Sequence, residues 1–177
     1  MEHVVLVDKH NTPIGTMPKS EVHGKTTPLH RAFSCFIFRR SDNKFLIQQR
    51  SLTKVTWPGV WSNSVCGHPL PDESTETAVR RRLEFELGIT EAEIREVLPD
   101  FRYRASRDGI EENEICPVWV GFTDQDPTPN SDEVEAVEWI DWEDFVTRLQ
   151  DLNDNTYDHF SVWCREEAVL LAERGMV

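Results

Sequence analysis

The stretch from Phe33 to Gln49 constrains this chain most. Phe33-Ser34-Cys35-Phe36-Ile37-Phe38 reads as one strand, Ser41-Asp42-Asn43-Lys44 as a turn, and Phe45-Leu46-Ile47-Gln48-Gln49 as the strand that returns. The result is an apolar hairpin that other elements must cover. Val4–Val7, Asp100–Arg104, Glu112–Phe122 and Val134–Ile140 read as further strands. Ser74 or Asp72 can cap a helix carrying Ala78, Val79, Leu83 and Leu87 on its apolar side, with Gly88 at its stop. Asp141 can cap a short helix through Leu149, and Ser161 a last one that reaches Glu173 before Gly175. Strands interleaved with two or three helices define a layered α/β or α+β fold.

A length of 177 residues suits one domain with one substantial core, spanning 1–177 without an internal boundary; Thr123–Glu133 is loop-rich but reads as a connection. With 38% apolar and 29% charged residues the composition is that of an ordinary globular protein. Thirty-two acidic residues against nineteen Lys and Arg leave a net charge of -13, which repels phosphate backbones and argues against nucleic acid. An anionic small molecule would need a local basic pocket or a metal ion. The apolar run Val4–Val7 is too short for a secretion signal or a membrane span, so no membrane partner and a cytoplasmic location are expected. Cys35, Cys66, Cys116 and Cys164 contain no CxxC pair, which points away from a disulfide framework and a thiolate zinc site. Cys35 and Cys116 lie in apolar stretches and read as buried structural thiols.

Chemistry concentrates in three places. In Trp57-Pro58-Gly59-Val60-Trp61-Ser62-Asn63-Ser64-Val65-Cys66-Gly67-His68-Pro69, the tryptophans either cap the core or shape a fixed loop. A strand through Cys66 puts Cys66 and His68 on one side, with Gly67 allowing a ligand close to the backbone, so Cys66 is either an inert thiol or a reactive one. His23 and His30 lie in a segment broken by Gly24 and Pro28, where a loop could wrap one ion. Glu112 and Glu114 share a strand face, roughly 7 Å apart by strand rise, among apolar neighbours, and carboxylates entering a core must be paired, protonated or bound to metal; a solvated face is the plainer alternative. His23, His30 and His68 with Glu112 and Glu114 make a three-nitrogen, two-oxygen set that suits an octahedral divalent ion (manganese, magnesium or zinc) better than a closed tetrahedral site. On the helix, Glu86 lies in the last turn, where a carboxylate opposes the dipole; Arg82 or a magnesium ion could compensate it.

From Gly67 onward the chain resembles the Nudix box, G-x5-E-x7-R-E-U-x-E-E-x-G-U, through Gly67, Glu73, Arg81, Leu83, Glu86, Gly88 and Ile89. Arg82 and Phe85 replace two glutamates that help hydrolases of that family gather metal. These departures, the Trp57–Pro69 segment, Phe101-Arg102-Tyr103-Arg104-Ala105 and Glu112-Asn113-Glu114-Ile115-Cys116-Pro117 closely resemble the type I isopentenyl-diphosphate delta-isomerase family over nearly the whole chain. The resemblance implies a Nudix-like α/β/α sandwich with a mixed sheet and a small prenyl diphosphate substrate, in a monomer or weak homodimer. It implies that His23, His30, His68, Glu112 and Glu114 hold one divalent ion, and that Glu86 with the carbonyl of Cys66 holds a magnesium ion on the diphosphate. Cys66 and Glu114 become the proton-transfer pair, Tyr103 a hydrogen-bond donor near Glu114, and Trp163 the face turned to the cation. Lys19, Arg50, Lys54 and Arg82 take the phosphate-binding positions.

The chemistry implied is a 1,3 proton shift, which needs an acid on one side of an allyl unit and a base on the other. Protonating an unactivated alkene gives a tertiary cation, so water must be excluded, and an aromatic face such as Trp163 can stabilise the charge. A metal-dependent diphosphate hydrolase and a non-catalytic metal-binding module are the competing readings.

Overall fold

The first strand of the hairpin sends its odd- and even-numbered apolar residues into two different cores. A computed structural model describes residues 2–177. In chain order the elements are β1 (His3–Val7), β2 (Pro13–Pro18), α1 (Lys19–Val22), β3 (His30–Arg31), β4 (Phe33–Arg39), β5 (Phe45–Arg50), β6 (Trp61–Ser62), β7 (Val65–Gly67), α2 (Thr75–Leu87), β8 (Glu93–Leu98), β9 (Arg102–Arg107), β10 (Ile110–Ile115), β11 (Val118–Thr123), β12 (Val134–Ile140), α3 (Trp142–Gln150) and α4 (Val162–Glu173). The larger sheet runs β12-β5-β4-β11-β8, with β6 added to β5 and β7 to β4. β4 and β5 form the expected antiparallel hairpin, while β11 lies parallel to β4, so the sheet is mixed.

Phe33, Cys35 and Ile37 pack with Ala78, Val79, Leu83 and Leu87 of α2, whereas Phe36 and Phe38 face Trp142 and Phe145 of α3 and Trp163, Ala168 and Leu171 of α4. Successive side chains of a strand point to opposite faces, and both faces here are covered by helices, which is why β4 is apolar almost throughout. The expected α/β/α sandwich is therefore present. α2 begins where Ser74 accepts from Thr77 N and ends at Gly88 with φ 65°. A Cβ on Gly88 would lie 1.9 Å from Thr128 Oγ1, so both the left-handed backbone and the close loop require glycine. Asp141 and Ser161 cap α3 and α4 in the expected way.

The smaller sheet, β2-β1-β3-β10-β9, corrects one expectation. Glu112–Phe122 is not one strand. Cys116-Pro117 interrupts it, leaving β10 in the smaller sheet and β11 in the larger, because proline cannot donate to a ladder. The two strands thus carry the chain from one sheet to the other, and the cleft between the sheets lies at that crossing. β2 and β8 were not legible: β2 holds two prolines and a glycine, and β8 holds three charged residues among its six. Cys35 and Cys116 are buried as expected.

Candidate active site

The parallel register of β10 and β3 sets Glu114 beside His30, and the antiparallel register of β10 and β9 sets Tyr103 on its other side. Glu111 N donates to Gly24 O at 2.8 Å, which draws the loop carrying His23 along β10. β7 pairs with β4 and delivers His68 from the larger sheet. The three imidazoles meet with ring centroids 5.1–5.6 Å apart. One ligand atom from each of His23, His30, His68 and Glu114 falls within 4.8 Å of all the others.

These contacts fit a shared cation. His30 Nδ1 lies 2.9 Å from the carbonyl of Pro28, and donation there leaves the Nε2 lone pair facing inward. That Nε2 is 3.2 Å from His68 Nε2 and 3.3 Å from Glu114 Oε1. His23 Nε2 and Glu112 Oε2 approach to 2.8 Å but are misaligned for a hydrogen bond, and neither has another partner. Ligand atoms bound at ~2.1 Å around one octahedral ion sit about 3 Å apart, the spacing seen here. The buried, unsatisfied pair is what a cation between the two side chains would resolve.

Burial and the neighbouring groups set the protonation of this cluster. Burial pushes His68 down to about 4, so its imidazole is neutral and able to ligate. Burial also opposes charge on His30, yet the hydrogen bond and charge of Glu114 hold its pKa above the ordinary value. Glu114 is buried too, but His30 and His68 keep its pKa well below the usual carboxylate range. Burial raises that of Glu112. Tyr103 donates to Glu114 Oε2 at 2.8 Å, and its phenol is held well above its ordinary pKa by burial and by the Glu114 charge.

Cys66, Tyr103, Glu112, Glu114 and Trp163 line one cavity of about 500 Å³ together with Lys19, Arg50, Lys54 and Arg82. The thiol donates to Asn63 Oδ1 at 3.1 Å and is pushed up to about 12 by burial and by Glu167. At neutral pH the cavity thus holds a protonated thiol and an ionised carboxylate. The Trp163 ring lies 5.4 Å from that of Tyr103 and 5.2 Å from Trp57, so the wall between them is aromatic. Trp57 packs as core, at 6% exposed, despite a left-handed φ of 53°. Trp61 stacks on Phe160 at 6.3 Å.

The cationic part of the cavity lining is internally paired. Lys19 holds Glu2 at 2.8 Å, and Arg50 donates to the carbonyls of Thr56 and Trp57 at 2.8 and 3.2 Å. Arg82 Nε donates to Glu86 Oε1 at 2.8 Å, while Gln48 donates to the second oxygen at 3.1 Å. Arg82 is therefore the compensating partner of the misplaced helix-end carboxylate. Burial lowers the Lys54 pKa, which the Glu86 charge opposes. His30 and Glu86 stand behind this lining rather than in it.

Sequence reasoning passed over Asn63, Ser34, Glu133 and Glu167. Asn63 is fully buried and donates to the carbonyls of Cys35 and Val65, each at 3.1 Å, while receiving the Cys66 thiol. Ser34 Oγ lies 3.6 Å from Cys66 Sγ and 3.5 Å from Cys116 Sγ. Glu167 is 0% exposed, and burial holds its pKa well above the carboxylate range. Its signal was available: a carboxylate among Trp163, Cys164, Ala168 and Leu171 interrupts the buried face of α4. Ser34 and Asn63 carried none, since small polar residues are common in any loop or strand.

Residues 28–164 match the NUDIX domain family model. The isopentenyl-diphosphate Delta-isomerase of Saccharopolyspora erythraea is 46% identical over 176 residues, covering 99% of this chain and 88% of that protein. That of Agromyces mediolanus is 50% identical over 150 residues, covering 84% and 72%. A crystal structure from Deinococcus radiodurans superposes with a TM-score of 0.65 at 18% identity, covering 89% of this chain and 96% of that one, a likeness of fold. With its thiol, glutamates and imidazoles gathered into one cavity beneath a Nudix helix, the chain belongs to the NUDIX family and, within it, to the isopentenyl-diphosphate Delta-isomerases.

Proposed function

We propose that this chain interconverts isopentenyl diphosphate and dimethylallyl diphosphate by protonation and deprotonation through a tertiary cation. The observation that carries the reading is a single cavity lined by the Cys66 thiol, a Tyr103-bound Glu114, the Trp163 ring and four cationic side chains. Moving a double bond by one position requires one carbon to gain a proton and another to lose one, and Cys66 and Glu114 are the two groups suited to it. Trp163 faces the charge that forms between these events, and the aromatic wall keeps out water that would trap it. The diphosphate supplies binding energy remote from the reacting carbons, used to hold the alkene between acid and base.

His23, His30, His68, Glu112 and Glu114 would hold one divalent ion, manganese, magnesium or zinc, which when bound positions Glu114 and adjusts its proton affinity. Glu86 lies behind the lining with its oxygens taken by Arg82 and Gln48, so it would hold magnesium on the diphosphate, together with the Cys66 carbonyl, by exchanging the Arg82 contact for the ion. A chain of net charge -13 then accepts a polyanion because Lys19, Arg50, Lys54 and Arg82 meet it locally. Among the described residues no helix is long and apolar enough to cross a membrane; the enzyme we propose is cytoplasmic and works as one domain over 1–177, a monomer or weak homodimer. Hydrolysis is disfavoured by Arg82 and Phe85: the guanidinium is tied to Glu86 and lies over the half-exposed Phe85 ring at 5.2 Å.

Purified protein with isopentenyl diphosphate and magnesium in heavy water, followed by NMR, tests the reading. Deuterium should enter the allylic methyl groups; phosphate release without deuterium incorporation would overturn it.

A further inference from the structure

We propose that Glu133 is an internal occupant of the diphosphate subsite, a carboxylate that bridges Lys54 and Arg82 and is displaced when substrate phosphate binds. The inference rests on the reading of the cationic part of the cavity lining as the diphosphate site, and adds a residue that sets its affinity. Lys54 Nζ and Arg82 NH2 both donate to the same oxygen, Oε2 of Glu133, the latter at 3.0 Å. One anionic oxygen between an ammonium and a guanidinium is the arrangement a phosphate oxygen would take. Arg82 gives both Nε and NH2 to Glu86 Oε1, at 2.8 and 2.5 Å, so NH2 is shared between Glu86 and Glu133, and its remaining edge is the face that Glu133 and an incoming anion both claim. Two anions on that edge would repel one another.

Displacement needs a side-chain rotation and no movement of the backbone. Glu133 N donates to Asn130 O at 3.0 Å, and its carbonyl accepts from Ser51 N at 2.9 Å. Asn130 N in turn donates to Glu86 O at 2.9 Å, so the turn is anchored to the end of α2. The Glu133 side chain remains 21% exposed, against 6% for Arg82, and so has water to move into while Arg82 stays. Burial opposes charge on Glu133, but Lys54 and Arg82 hold its pKa below the ordinary value, so the occupant is ionised at neutral pH. In the free protein it offsets two cations packed together in a partly dry site; in the complex the diphosphate takes over that task.

Glu133→Gln keeps the shape and removes the competing charge, and Glu133→Ala removes the side chain. Binding of inorganic pyrophosphate in excess magnesium is measured by calorimetry at low and moderate salt, with KM and kcat alongside. Both variants should bind pyrophosphate roughly tenfold tighter, the scale of removing one partly screened like charge, with KM lowered and kcat not raised. Unchanged or weaker binding in variants that melt like the parent would overturn the proposal and make Glu133 a strut for Lys54 and Arg82. Lys54→Gln and Arg82→Gln separate the two levels: if neither weakens pyrophosphate binding to the parent, the diphosphate reading itself falls and takes the proposal with it.

Discussion

Acidification of the metal-free protein should expose the cost of burying His68. An ordinary histidine titrates at 6.5, whereas burial pushes His68 down to about 4. The unfolded chain therefore takes up this proton first as the pH falls, and stability is lost between 6.5 and 4. At ~1.4 kcal/mol per pH unit the gap corresponds to roughly 3 kcal/mol, or about 6–12 °C in Tm for a chain of this size. Glu114 adds to the loss at still lower pH, because its pKa is held well below 4.5 and its stabilising contacts disappear as it protonates. His30 has the opposite sign: its raised pKa contributes stability that is complete below 6.5 and fades as the pH rises through the raised value. Denaturant unfolding in the presence of a strong chelator at pH 7, 6, 5 and 4, for the parent and for His68→Gln, isolates the imidazole. The variant should lose less stability across this window by roughly 3 kcal/mol. Equal acid slopes in the two proteins would refute the reasoning, since His68 would then be free to protonate in the fold.

Cys66→Ala and Glu114→Gln should each lower kcat by at least about 10³-fold while the fold persists by circular dichroism; near-normal turnover in either would contradict its proton-transfer role. Glu112→Gln should lose the tightly bound ion, because it removes a charge from a buried pair already short of partners; unchanged metal content by elemental analysis would count against this ligand set. For Trp163→Phe a roughly five- to tenfold loss of kcat is expected, as a smaller aromatic face remains, and full activity would argue against stabilisation of a cation.

The degree to which the site was legible differs residue by residue. Glu112 and Glu114 stood out because strand period places both on one face beside apolar neighbours, and the structure puts both in the cavity. Glu86 stood out by opposing its helix dipole, and Arg82 is its partner one turn earlier. Tyr103 and Trp163 look in sequence like any core aromatic; resemblance singled them out, and their place depends on the β9–β10 register and on the docking of α4. Glu133 sits at the end of a loop whose composition says only that it turns.

The chain alone determined its hairpin, its helix caps, the stop at Gly88 and the presence of too many imidazoles and carboxylates in apolar company, since each of these is written in spacing over a few residues. Tertiary structure decided the rest. Cys116-Pro117 split one apparent strand between two sheets, and that split is what opens a cleft with Glu114 on one wall and His68 on the other. Likewise, which acid pairs with which base was settled by packing: Lys54 and Arg82 meet Glu133 from 79 and 51 residues away. Local pattern reports a side chain's face but not the partner opposite it, because long-range pairing depends on how whole layers cover one another's apolar surfaces.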